Sequence, residues 1–388
     1  MSLEVLAREI PPAVLADPFA GTGFGPDSSE PLAFHRGLPD FAPTALRDMP
    51  RLAAELGVAR VLVKDETWRA GLPAFKILGA SWAAACAIHR EWLGNDPSVP
   101  IAFSTLRDAL ARLRAALPDR RLAFVTATDG NHGRAVARAA RLFGVDAQIL
   151  VPAGTVPARI EAIAAEGAEV EVVDGSYDDA VARASALASR DRLIISDTSW
   201  EGYRLVPRDV IDGYATLFIE VDEQIAAAGR TAPTHVVLQA GVGAYPAAGV
   251  RHFAGRGTHF VIVEPTAADC LLRSARAGRI TQAPPPHDSA MAGLDCGLPS
   301  PLAWPILERL VGSYVSIGDG ALPAAARALA AEGVEAGESG MAGVAGILAV
   351  ARAGRLAELG IGPSSTLLFV VTEGVTDPEG YARLLLAP

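Results

Sequence analysis

The stretch LAFVTATDGNHGRAVARAARLFGVDAQILVP, residues 122–152, holds an apolar run, a polar turn, an Ala-rich run and a second apolar run. LAFVTAT (122–128) and AQILVP (147–152) have the length and β-branched content of strands. Between them NHGRAVARAARLFG (131–144) carries apolar residues at helical spacing and stops at Gly144, where a helix C-terminus favours glycine. Further strand-like runs lie on both sides: RVLVKD (60–65), AEVEVV (168–173), RLIISD (192–197), THVVLQ (234–239), THFVIVEP (258–265) and TLLFVVTEG (366–374). Strands alternating with helices predict an α/β protein with mostly parallel sheets.

Bulk properties bound the function classes. The 388 residues, 50% of them hydrophobic, suffice for two domains. The formal net charge of -10, without a basic patch, argues against nucleic acid as a partner. No apolar run reaches the ~18 to 20 residues that span a bilayer, and the N-terminal MSLEVLAREIPP is charged where a secretory signal would be apolar. A cytoplasmic location is therefore expected. Cys86, Cys270 and Cys296 are too dispersed for a disulfide framework or a metal knuckle, so no metal site is expected.

Three segments can carry chemistry. In LPAFKILGASWAAA (72–85), Lys76 opens an Ala-rich helix behind Pro73 and Phe75. Burial there would supply the neutral amine that a Schiff base requires, although a lone Ala-Phe-Lys also reads as a surface lysine. In TATDGNHGRAVA (126–137), Asp129 and Asn131 follow a strand, where ligands collect in open α/β sheets. Asp129 could move a proton and Asn131 could bond a phenolic oxygen; a turn that caps the next helix fits equally. In THVVLQAGVGAYPAAGV (234–250), a strand runs through a Gly-rich loop into a helix, either a plain turn or an anion site. Pro246 replaces the third glycine of a dinucleotide fingerprint, so a compact monophosphate is expected rather than NAD or ATP.

In this order the three segments resemble the fold-type II, tryptophan synthase β-like pyridoxal-phosphate enzymes, and within them the diaminopropionate ammonia-lyase family. The closer resemblance is carried by LVKDETWRAGLPAFKILGAS (62–81), DTSWEGY (197–203), DGYATLF (212–218), MAGLDCGLPSPLAWPIL (291–307), ESGMAGVAGIL (338–348) and TEGVTDPEGY (372–381). It implies two domains, each with a mostly parallel sheet flanked by helices: residues 1–85 plus 215–388 bind the cofactor, 86–214 form a smaller domain, and the active site lies between them.

The resemblance further implies that Lys76 holds pyridoxal 5'-phosphate as a Schiff base with Phe75 beside it. Asn131 would address the cofactor's 3-oxygen, Gly241, Val242, Gly243 and Ala244 its phosphate, and Thr372 its pyridine nitrogen. A neutral hydroxyl at that nitrogen suits β-elimination. The implied reaction removes both amino groups of either stereoisomer of 2,3-diaminopropionate, giving pyruvate and ammonia. Lys76 and Asp129 would act as bases on opposite faces, and Asp197 would recognise the second ammonium or, alternatively, cap a helix. Rival readings are elimination or replacement on another β-substituted amino acid, or a non-catalytic binding protein. A homodimer is implied as well. His132 is expected to support its loop, and Glu264 to anchor the loop after its strand. The chain departs from the family pattern at Ile77, Tyr245 and Pro246, which are expected to add bulk near the cofactor and to remove one amide donor.

Overall fold

The computed structural model describes residues 2–128 and 130–387, with the backbone alone of Asp178. Its strands are β1 (Leu3–Ala7), β2 (Leu46–Asp48), β3 (Arg60–Asp65), β4 (Ala123–Ala127), β5 (Asp146–Pro152), β6 (Glu169–Val173), β7 (Arg192–Ile194), β8 (His235–Gln239), β9 (His259–Pro265), β10 (Ser313–Ile317) and β11 (Thr366–Val371). The helices that position the site are α1 (Ile77–Ala87), α2 (Asn131–Phe143), α3 (Leu205–Ala227), α4 (Ala244–Phe253), α5 (Cys270–Ala277) and α6 (Ala342–Arg352). The backbone resolves into two compact units. One comprises the chain up to Asp27, Pro43–Phe75 and Leu217 onward; the other comprises Ser28–Ala42 and Lys76–Thr216.

The first unit holds a seven-stranded sheet in the order β1-β10-β9-β8-β11-β3-β2. Its inner pairs are parallel, and β1 and β2 pair antiparallel at the two edges. Strands β8 and β11 are buried along their whole length, as strands covered on both faces must be, which explains their unbroken apolar runs. At β3 the apolar run ends in charge. Lys64 Nζ donates to Glu220 Oε2 at 2.7 Å, and Arg69 donates to Glu220 Oε1 at 2.7 Å and to Glu66 Oε1 at 2.5 Å. All four side chains are fully buried. Two cations against two carboxylates keep this cluster neutral, and its mutual bonds satisfy the charges that burial would otherwise penalise. The cluster pins the segment that leaves β3 towards Phe75.

The second unit holds four parallel strands in the order β6-β5-β4-β7. The stretch 122–152 forms β4, α2 and β5, with Ala123 paired to Asp146 and Ala127 to Leu150. Helix α1 is buried at all eleven residues, hence its apolar composition all round. It approaches α3 through two glycines. A β-carbon on Gly213 would lie 2.5 Å from Leu78 O and 2.9 Å from the Gly79 α-carbon, so a larger residue at that crossing would separate the backbones.

Candidate active site

Lys76 precedes α1, and its Nζ donates to Asp197 Oδ2 at 2.9 Å. Asp197 lies in the segment after β7, and the structure fixes that segment from two sides. Tyr203 donates its hydroxyl to Ile194 O at 2.7 Å and accepts from Ser196 N at 3.1 Å, while its ring stacks on Trp200 at 4.1 Å. His132, at the start of α2, bonds Ile195 O through Nε2 at 2.8 Å, which is the expected loop support. Its Nδ1 faces Asp197 Oδ2 at 3.8 Å. Burial alone would raise the Asp197 carboxyl. The charges of His132 and Lys76 and the Lys76 hydrogen bond outweigh that effect and hold it well below the usual carboxylate range.

Tyr214 on α3 adds to this group. It is fully buried against Gly79, whose absent β-carbon would lie 2.6 Å from its ring. Burial pushes its phenol up, and the Lys76 ammonium beside it acts in the opposite sense. Tyr214 lies within the quoted DGYATLF, yet nothing in that stretch alone assigns it to Lys76.

Asn131 is the first residue of α2 and is half-buried. The helix start is set by Thr128, whose hydroxyl accepts from Gly130 N at 3.0 Å and Gly133 N at 3.1 Å. A side chain at Gly133 would strike Thr128 Cγ2 at 2.2 Å, which explains that glycine. Asp129 lies outside the described residues.

In the first unit, β8 runs into Gly241, Val242 and Gly243 before α4 begins at Ala244. Gly243 takes φ +97°, and a β-carbon there would meet Leu307 Cδ1 at 2.8 Å; one on Gly241 would meet Cys296 Sγ at 2.9 Å. Position 243 therefore requires glycine, and a larger residue at 241 would displace the Cys296 thiol. Among the described residues, the amides of Gly241, Val242, Gly243 and Ala244 have no acceptor, and Val242 O is tied down by Ser300 N at 2.8 Å. Unpaired amides at the positive end of a ten-residue helix form a cradle that can receive an anion such as a phosphate.

Thr372 follows β11. Its Oγ1 accepts from Gln239 Nε2 at 3.0 Å, and its carbonyl accepts from Phe75 N at 3.3 Å. Phe75 is buried with its ring edge-to-face against Tyr245 at 5.0 Å. Tyr245 in turn stacks on Phe218, so its ring fills the core beneath the cradle. Pro246 is the third residue of α4, within the first turn, where an amide would have no intrahelical acceptor anyway. Glu264 accepts from Leu271 N and Leu272 N at 2.8 Å each and so anchors the start of α5, the helix beyond the loop that it was expected to hold.

Within one unit the structure thus brings together Lys76, Asp197, His132 and Tyr214. Within the other it brings together Phe75, Thr372 and Gln239, and builds the amide cradle. Taken unit by unit, an amine beside a carboxylate fits the aldehyde of pyridoxal phosphate in the one, and unpaired amides with a neutral hydroxyl fit its phosphate and ring nitrogen in the other. Among the described residues no cluster of His, Cys, Asp or Glu could hold a metal ion.

Comparison with known proteins points to the same cofactor. Residues 38–373 match the family model "Pyridoxal-phosphate dependent enzyme". Diaminopropionate ammonia-lyase of Escherichia coli (strain K12) is 36% identical over 367 residues, covering 91% of this chain and 89% of that protein. The crystal structure of the Escherichia coli enzyme in complex with D-serine superposes with a TM-score of 0.85 at 32% identity, over 99% of this chain and 97% of that one. Its complex with an aminoacrylate-PLP azomethine reaction intermediate gives 0.84, also at 32% identity and with the same coverage. The chain has the fold-type II architecture and belongs to the pyridoxal-phosphate dependent enzymes, and among them to the diaminopropionate ammonia-lyase family.

Proposed function

We propose that the protein is a pyridoxal-phosphate-dependent ammonia-lyase that converts either stereoisomer of 2,3-diaminopropionate and one water into pyruvate and two molecules of ammonia. The observation that carries this reading is the Lys76–Asp197 pair: a partly buried amine facing a carboxylate that stays ionised at neutral pH. The cofactor, held by Lys76, supplies the electron sink that acidifies the substrate's Cα proton.

The protein's own groups do the rest. Lys76 Nζ takes the Cα proton of one stereoisomer; Asp129 is the base for the other. Asp197 receives the β-ammonium through a charge-assisted hydrogen bond and orients it for departure as ammonia. Asn131 would address the cofactor's 3-oxygen, Thr372 its pyridine nitrogen, Phe75 would pack beside it, and the Gly241–Ala244 amides would hold its phosphate. After the β-amino group leaves, water hydrolyses the released imine to pyruvate and the second ammonia. The same reading makes the protein a cytoplasmic homodimer; among the described residues no helix is long and apolar enough to cross a membrane.

Purified protein with the cofactor should release pyruvate and ammonia in a ratio of one to two from both isomers, and Lys76→Ala should abolish both the release and the visible absorbance of the bound cofactor. No product from either isomer overturns the substrate assignment. Turnover of another β-substituted amino acid in its place would favour the broader elimination reading. Light scattering checks the dimer, and a monomer would refute it.

A further inference from the structure

Gln239 ends β8 one residue before Ala240 and the phosphate cradle, and its side chain is buried. Its Nε2 lies 3.0 Å from Gly340 O, 2.9 Å from Val370 O and 3.0 Å from Thr372 Oγ1. Backbone carbonyls only accept, so the NH2 group must face them; a reversed amide would set Oε1 against two carbonyl oxygens. Gln239 Oε1 has no hydrogen-bond partner among the described residues. It points at Gly343, where a β-carbon would stand 3.1 Å away. The fold thus tolerates an unpaired buried acceptor, with the amide held in this one sense.

The consequence falls on Thr372. The two Nε2 hydrogens serve three acceptors, so one is shared; since an amide nitrogen cannot accept, Thr372 Oγ1 is the acceptor in its contact with Gln239 and the hydroxyl hydrogen is not used there. Among the described residues that hydrogen has no acceptor, and Thr372 is buried. We infer that Gln239 is a positioning residue that turns the Thr372 hydroxyl outward as a donor, so that a pyridine nitrogen held at Thr372 meets a proton donor and keeps its lone pair unprotonated. This rests on the reading of Thr372 as the residue that addresses that nitrogen. An unprotonated ring withdraws electrons less strongly, which favours prompt loss of a β-substituent over a long-lived carbanion open to reprotonation on either face.

The test is the nitrogen-15 chemical shift of the pyridine nitrogen in holoenzyme loaded with 15N-labelled cofactor. Wild type should resonate as an unprotonated, hydrogen-bonded nitrogen. Thr372→Val should move the resonance, Gln239→Met should move it in the same direction, and the double variant should add little to Thr372→Val. Should Gln239→Met fail to fold, Gln239→Leu serves instead: it too removes the donor to Thr372 Oγ1, so the resonance moves as in Thr372→Val.

A Gln239 that only braces the backbone would lower the thermal midpoint and leave the resonance in place. Movement with Thr372→Val but not with either Gln239 variant overturns the positioning role alone. No movement with Thr372→Val overturns the assignment of Thr372 and this inference with it.

Discussion

Lys76 Nζ and Asp197 Oδ2 stand 2.9 Å apart although 121 residues separate them in the chain. Asp197→Asn keeps the shape and removes the charge. If Asp197 receives the substrate's β-ammonium, losing one charged hydrogen bond of about 1.5–3 kcal/mol raises KM for 2,3-diaminopropionate roughly tenfold to a hundredfold. Steady-state kinetics would show this; an unchanged KM with a reduced kcat would assign Asp197 to the chemistry instead. In cofactor-free protein the same variant tests linkage. Because the folded carboxyl is held below its unfolded value of about 3.9, its contribution to stability is present above that pH and is lost as pH falls towards the folded value. The thermal midpoints of wild type and Asp197→Asn should therefore converge in acid.

Gly79→Ala should push Tyr214 away from its place beside Lys76. The new methyl would lie 2.6 Å from Tyr214 Cε1 and 2.9 Å from Val210 Cγ1. Overpacking of this kind costs about 1–3 kcal/mol. Urea unfolding reads that loss, and a second change, Tyr214→Leu, should recover part of the stability while leaving the activity low.

Tyr245→Phe should leave the protein as stable or make it more stable by about 1 kcal/mol, because the Tyr245 hydroxyl is buried without a partner among the described residues. Burial pushes that phenol up, with the Glu66 charge adding to the shift. A destabilisation of more than about 1 kcal/mol in chemical denaturation would show instead that the hydroxyl is hydrogen-bonded in solution.

Glu264 gives the opposite pH dependence to Asp197. Burial raises its carboxyl to about 8, against the hydrogen bonds from Leu271 and Leu272 and with the Asp269 charge adding to the rise. The unfolded value is about 4.3, so between these values the folded protein binds the extra proton and its stability falls as pH increases. Glu264→Gln carries no titrating group and accepts with one oxygen rather than two. It should be the less stable protein near pH 5, by about 1 kcal/mol, and the difference should shrink or reverse by pH 8 in a series of thermal midpoints.

Local order was legible in the sequence. The unit 122–152 declared itself because β4 and β5 are mostly buried and α2 has one apolar face, so composition and period agree with position. The loop 241–244 stood out by its glycines, and the positive φ of Gly243 accounts for one of them. Strands β1, β2 and β10 were not anticipated. β2 has three residues, β1 is an edge strand paired on one side, and β10 reads SYVSI, with hydroxyls whose partners lie elsewhere: Tyr314 donates to Leu307 O at 3.1 Å.

The order of motifs singled out Lys76, Asp197 and Thr372, but only the tertiary structure decided which side chains face them. Tyr214 reaches Lys76 because Gly79 and Gly213 let two helices touch, and Gln239 reaches Thr372 across 133 residues of chain. Hydrophobic period records whether a residue is buried. It carries no information about which distant residue it is buried against, because that contact is set by strand order and helix crossing, and these depend on the whole sheet closing at once.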